Sequence, residues 1–313
     1  MNVNDCAVGI LTDCLGLKRQ EQLLILTDQS GCELGRAMME AGKEKCKEAV
    51  LVVISPKKTD DGLTESVRSW LTQFEAVVVI TSSIFDISKI LNESSVGTRA
   101  VQIPFTGMED FLRIMCVDWK RFGMFTRKCS ALLGSAGIIS VKSKNGTDLK
   151  FITTGEVPSC DDGRVTNPGT STVIPAGNTM VNIVEGSAQG TLVLDVCSWG
   201  AGKVTCEPLA LEIRDGIVSN VKSGKCLREI GNLLSKDRKM RTVGKFCAGT
   251  LDTARTDRSY REHLIAKGVV SFGFGVADEQ QKDIGGNNYF SGGVNCPDVW
   301  LDSRMWIKEG RYV

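Results

Sequence analysis

The sequence predicts a two-domain α/β protein, an N-terminal domain with a parallel sheet wrapped by helices followed by an α+β domain. Three observations carry this. A chain of 313 residues is long enough for roughly two domains of about 150 residues each. Its first third alternates short, continuous apolar runs with amphipathic stretches, the pattern of strands buried on both faces and joined by crossover helices. From about Lys120 that alternation gives way to short strands separated by hairpin dipeptides. The expected domains are 1–120 and 121–313.

The first strand is Gln22–Thr27, closed by Asp28-Gln29-Ser30-Gly31, a turn with helix-capping chemistry. Glu33–Lys47 follows as a helix with Leu34, Ala37, Met38 and Ala41 on one side. Ala49–Ile54 is the next strand, then a helix near Thr64–Phe74, a strand at Ala76–Thr81, a short helix at Ile84–Asn92 and a strand at Thr98–Ile103. Met124–Gly134 reads as a connecting helix. Beyond it, Asn145-Gly146 and Asp215-Gly216 read as hairpin turns, because both dipeptides tolerate the positive φ of tight connections. They join strands at Ile138–Lys144, Leu209–Arg214 and Ile217–Ser223, with another strand at Thr191–Cys197. Cys226–Leu234 and Asp257–Ile265 read as helices.

Composition removes several function classes. With 38 basic against 37 acidic residues, the net charge is +1, and no basic block supports binding to nucleic acid or an anionic membrane. No apolar run approaches the roughly 20 residues of a membrane span, and the N-terminus lacks the pattern of a signal peptide. The 12 cysteines include no Cys-x-x-Cys pair. They are expected to be reduced cytosolic thiols, mostly at small core positions, and the protein to be cytoplasmic.

Four segments of the second domain, taken in order, resemble one family. They are Pro175-Ala176-Gly177-Asn178 with Glu185-Gly186-Ser187-Ala188-Gln189-Gly190; Val243–Thr250 through Ala254-Arg255; Glu262 to Gly275; and Gly292-Gly293 with Trp300-Leu301-Asp302. Together they resemble the aminopeptidase T metallopeptidases and their relatives, the dihydroxypyridine ring-cleaving dioxygenases, which use iron on the same scaffold. The resemblance implies that fold, a homo-oligomer and a small-molecule substrate. It also marks four metal-ligand positions at which this chain departs: Asn178 and Lys245 stand for glutamates, Ser271 for a histidine, and Trp300 for the first residue of a terminal His-x-Asp. Asp302 retains the aspartate if one residue is inserted after Pro297; without the insertion that carboxylate is Asp298.

Asn and Ser are poor ligands, Trp is none, and Lys beside the site repels a dication. The expectation is therefore no metal and no cofactor. The sole histidine, His263, is expected to serve a surface or helix-packing role. A metal-independent hydrolase of an amide or cyclic imide is the function expected from these substitutions. Lys245 would act as oxyanion holder, base or nucleophile, Asp302 as its ion-pair partner, and Cys247 or Cys296 as a thiolate. Glu185 would be a general acid or base or an anchor of its turn, Arg255 would hold a substrate carboxylate or form a structural ion pair, and Asn178, Ser271 and Trp300 would line the substrate. The other reading is an inactive ligand-binding or assembly protein. Gly285-Gly286-Asn287-Asn288 and Gly292-Gly293 are candidate loop segments over the pocket and fail as phosphate-binding fingerprints.

Overall fold

The computed structural model describes residues 2–55, 63–82, 84–85, 87–92, 94–104, 107–199, 203–223, 227–236, 238–275 and 290–313. The chain begins with α1 (Val3–Gly9), β1 (Gln22–Asp28), α2 (Cys32–Gly42), β2 (Glu48–Ile54), α3 (Glu65–Leu71), β3 (Ala76–Ile80), α4 (Ser88–Asn92), β4 (Arg99–Ile103), α5 (Met108–Met115) and α6 (Trp119–Ser135). Strands β5 (Ile138–Lys142), β6 (Asp148–Ile152), β7 (Ser159–Asp161), β8 (Ser171–Val173), β9 (Asn178–Asn182), β10 (Gln189–Leu194), β11 (Val196–Trp199), β12 (Lys203–Thr205), β13 (Leu209–Arg214) and β14 (Ile217–Ser223) follow. The last segment is α7 (Leu227–Lys236), α8 (Arg238–Arg241), β15 (Val243–Gly249), α9 (Tyr260–Ile265), β16 (Val270–Phe274), β17 (Phe290–Val294), β18 (Asp298–Leu301), β19 (Arg304–Lys308) and β20 (Arg311–Tyr312).

Two compact units form, Met1–Met124 with Asp162–Ala176, and Phe125–Asp161 with Gly177–Val313. The first holds a five-stranded sheet in the order β2-β1-β3-β4-β8, parallel throughout. Strands β3 and β4 are buried along their whole length, which is why they read as unbroken apolar runs. At the end of β1, Asp28 accepts from the Ser30 and Gly31 amides at 3.0 Å each and from the Ser82 amide at 3.1 Å. One carboxylate thereby caps the turn into α2 and ties β1 to the chain leaving β3. Gly31 is required there, since a Cβ would stand 2.4 Å from Thr27 Oγ1. Residues 162–176, grouped by the sequence with the second domain, belong to this unit because β8 extends its sheet beside β4.

The cysteine expectation is corrected in this unit. Cys6 and Cys116 form a disulfide across 110 residues of sequence, joining α1 to the end of α5. Closing a loop of that length stabilises the fold by about 4–5 kcal/mol on the loop-entropy account. Nothing in the residue spacing marks this pair; only the packing of α1 against α5 brings them together.

The second unit packs an eight-stranded sheet, β14-β13-β10-β6-β5-β18-β19-β20, and a seven-stranded sheet, β12-β11-β17-β16-β15-β9-β7, around one core. Phe151 of the first sheet meets Phe246 and Phe272 of the second, with ring centroids 5.3 and 5.9 Å away. Burying each such ring contributes about 1.5–3 kcal/mol. The Asp215-Gly216 turn has φ of 50° and 71°, as a two-residue hairpin requires. The strand expected at Thr191–Cys197 is two strands: β10 joins the eight-stranded sheet and β11 the seven-stranded one, with Asp195 at the switch between them.

Candidate functional site

Strand alternation in the seven-stranded sheet decides which side chains can reach a ligand. Phe246 and Ala248 of β15 point into the core, so Lys245 and Cys247 face the other way. Register then places Asn182 beside Lys245, Met180 and Ser271 beside Cys247, and Asn178 beside Gly249. Ser271 in turn faces Gly293, and Gly273 faces Ser291. The sheet thus carries one face of aromatic core and one of small and polar residues.

Helix α9 lies over β17 on the polar face. Ser259 caps it, its Oγ accepting from the Glu262 amide at 3.2 Å. Tyr260 Oη is hydrogen-bonded to Ser291 Oγ. His263 stands over Gly293, where a Cβ would come within 3.1 Å of its ring. His263 is 5% exposed, which corrects the surface role, although it does pack a helix on the sheet. Its Nδ1 lies 3.0 Å from the Thr256 carbonyl oxygen. That oxygen only accepts, so Nδ1 carries the proton and Nε2 is left with a lone pair, buried and, among the described residues, without a hydrogen donor. Burial pulls the imidazole below its ordinary value, against the opposing influence of Thr256, Asp195 and Asn295.

Beside this helix, a cavity of about 180 Å³ is lined by Ser143, Lys144, Asn145, Asp195, Asn295, Cys296, Asp298 and Glu309. Asn145 Nδ2 donates to both Asp195 oxygens at 3.1 Å, and the Asn295 amide donates to Oδ2 at 2.7 Å. Asp298 Oδ1 accepts from the Glu309 amide at 2.6 Å, and Lys144 pairs with Glu309. Cys296 and Glu309 both hold positive φ, 46° each. Such backbone is uncommon outside glycine, so the surrounding structure imposes it.

The nine residues singled out by sequence separate into three groups. Asn178, Lys245, Cys247 and Ser271 share the polar face. Cys296 is exposed and lines the cavity together with Asp298. The other four lie apart. Glu185 is exposed at the turn between β9 and β10, and Arg255 is exposed and paired with Asp257 at 3.2 Å. Trp300 lies in the eight-stranded sheet opposite Ser140 and Met305.

Asp302 turns the β18–β19 hairpin with φ 54°, its Oδ1 taking the Gly137 and Ile138 amides at 3.1 and 2.8 Å. Among the described residues it forms no ion pair with Lys245, so the expected Lys–Asp partnership is corrected. The thiolate expected of Cys247 is corrected too: burial pushes its thiol up to about 11, against the smaller opposing pulls of Ser271 and Lys245. A thiol so held is protonated near neutral pH. Gly285-Gly286-Asn287-Asn288 lies outside the described residues, while Gly292 and Gly293 are buried in β17 rather than in a loop.

The arrangement was tested against the iron that the resemblance brings with it. At the positions resembling ligands stand Asn178, Lys245, Ser271 and Trp300, and among the described residues no three His, Cys, Asp or Glu side chains gather closely enough to hold a metal ion. These residues do not fit the ion, and no step below runs through it.

Residues 11–241 match the family described as NicX, 2,5-dihydroxypyridine 5,6-dioxygenase, which is 231 of the 313 positions. The chain belongs to this family. Its fold is similar to the 2,5-dihydroxypyridine dioxygenase of Pseudomonas putida KT2440, with a TM-score of 0.74 at 19% identity, over 99% of this chain and 96% of that one. It is also similar to wild-type AmpT from Thermus thermophilus, with a TM-score of 0.68 at 16% identity, over 99% and 98% of the two chains. No curated protein matches the sequence.

Family membership bears out the resemblance and the fold class, and it overturns the metal-independent hydrolase. The family carries out oxidative ring opening and is an oxidoreductase family, not one that hydrolyses amides or imides. The inactive binding or assembly reading gains nothing from these comparisons. Of the groups on which hydrolysis was argued, Lys245, Cys247, Cys296 and Asp302 lie beyond residue 241, where the family match ends, and Glu185 lies within it.

Proposed function

We propose that this protein opens a small, hydroxylated nitrogen-containing aromatic ring using dioxygen, in the manner its family's description states for 2,5-dihydroxypyridine. The family match over residues 11–241 carries the reading. The cavity of about 180 Å³ supports it as a site on the scale of a small molecule. Its lining is rich in acceptors, which suits a ring bearing O–H and N–H groups. Both atoms of dioxygen enter the product as one ring bond breaks, so the reaction balances without an external reductant.

Within this reading the chain's own residues bind and orient the ring. Asp195 is fixed by Asn145 and the Asn295 amide, and Asp298 is fixed by Glu309, so the acceptors are held in place before the ring arrives. The protein is a homo-oligomer on this reading, as the resemblance implies; no helix among its described residues is long and apolar enough to cross a membrane. Light scattering behind size exclusion checks the assembly.

The reaction is tested by adding 2,5-dihydroxypyridine to the protein with and without ferrous iron, following dissolved oxygen and the ring's near-ultraviolet absorbance together. Equimolar loss of both supports the proposal. Ring absorbance that persists with oxygen unconsumed refutes it.

A further inference from the structure

Two buried acceptors confront each other at the inner wall of the cavity. His263 Nε2 carries a lone pair, because Nδ1 spends its proton on the Thr256 carbonyl oxygen. Asn295 Oδ1 is buried as well, and among the described residues neither atom meets a hydrogen donor. The two side chains are close enough for Asn295 to influence the imidazole. A buried acceptor left without a donor loses its hydration and gains nothing in return. The two ends of an amide have the same shape, and the hydrogen-bond network decides between them. Turning the Asn295 amide end for end moves no heavy atom, gives Nε2 a donor, and brings the carbonyl oxygen to the end of the amide away from His263.

The order of donors then runs in one direction. His263 Nδ1–H donates to Thr256, Asn295 Nδ2–H donates to His263 Nε2, and Asn295 Oδ1 remains as an acceptor for the cavity that Asn295 lines. Asp195 accepts from Asn145 Nδ2 and from the Asn295 backbone amide. Asp298 accepts from the Glu309 backbone amide at Oδ1 and keeps Oδ2. Lys144, paired with Glu309, is the cationic donor of the wall. A ligand that satisfies Asn295 and Asp298 must bring donors.

We propose that the cavity selects the ring in its lactam (pyridone) form, with the ring N–H donating to Asn295 Oδ1 and a ring hydroxyl donating to Asp298. His263 is the positioning residue that fixes the amide's direction. This rests on the ring-opening reading above and deepens it, because it states which tautomer and which edge of the ring is recognised. A ring without the N–H meets an acceptor with nothing to accept, and the site discriminates against it.

Anaerobic calorimetry with 2,5-dihydroxypyridine and its N-methyl pyridone analogue tests this without turnover. The wild-type protein is expected to bind the N–H ring at least about tenfold more tightly, the loss expected when a buried acceptor is left unmet. Asn295→Ala is expected to remove the preference, and His263→Ala to reduce it. Nitrogen-15 spectra of the wild-type imidazole, which need no variant to fold, are expected to show Nδ1 protonated and Nε2 bare. Equal binding of the two rings, a preference that survives Asn295→Ala, or a proton on Nε2 overturns the proposal. If neither ring binds while oxygen uptake with 2,5-dihydroxypyridine persists, the cavity assignment fails and the ring-opening reading stands. If binding and uptake are both absent, both fail.

Discussion

His263 rests on Gly293: a Cβ added at Gly293 would stand 3.1 Å from its Cδ2 and 3.2 Å from its Nε2. The only imidazole in the chain is therefore packed on a position where an added side chain would crowd it, with Val196 Cγ1 3.3 Å from the same point. Gly293→Ala is expected to destabilise the fold by about 1–3 kcal/mol through overpacking. In a His263→Ala background the same change should cost much less, since the ring it displaces is gone. Urea midpoints of the two single variants and the double variant give the coupling. Simple additivity would show that the ring does not press on Gly293.

Acid should weaken the fold in two stages. His263 is held below its ordinary value of 6.5, by burial above all. As pH falls through that value, the unfolded chain takes up a proton that the folded chain refuses, and stability declines by up to about 1.4 kcal/mol per pH unit. His263→Gln should abolish this slope between about pH 7 and pH 5.5. Asp28 behaves oppositely at lower pH. Burial raises its carboxyl, but hydrogen bonds from Ser30, Ser82 and Gly31 outweigh that and hold it below 3.8. Its contribution is complete above that value and disappears as pH falls through the lowered folded value. Denaturation curves across pH check both, and a His263→Gln profile matching wild type would contradict the first.

Thiol reactivity should follow exposure and charge rather than the presence of a neighbouring lysine. Cys160, Cys206 and Cys296 are exposed, whereas the Cys247 thiol is pushed up to about 11. Iodoacetamide near neutral pH is expected to label the first three well before Cys247, as peptide mass spectrometry would resolve. Fast labelling of Cys247 would restore the nucleophile that its burial argues against.

Legibility of the chain followed the physics of each feature. The β1, β3 and β4 runs were plain because strands covered on both faces show no polar interruption, and Asp215-Gly216 announced its turn by its backbone requirement. β7 and β8 are three residues each, too short for periodicity to register. Asp195 was invisible as a switch point, because one apolar run serves two sheets. At the site, strand alternation correctly grouped Lys245 with Cys247. Asp302 was misplaced because a carboxylate tying a hairpin to backbone amides looks, in sequence, like one awaiting a partner. His263 was discounted for want of other histidines, although its environment is set by Gly293, Asn295 and Thr256, none of which signals a site alone.

The most direct test of ring opening by this protein is a reaction under ¹⁸O-labelled dioxygen, with 2,5-dihydroxypyridine as substrate, run with and without ferrous iron. Mass spectrometry of the product should find both labelled atoms in the opened ring. A product labelled only from water, or unaltered substrate, would contradict the dioxygenase reading.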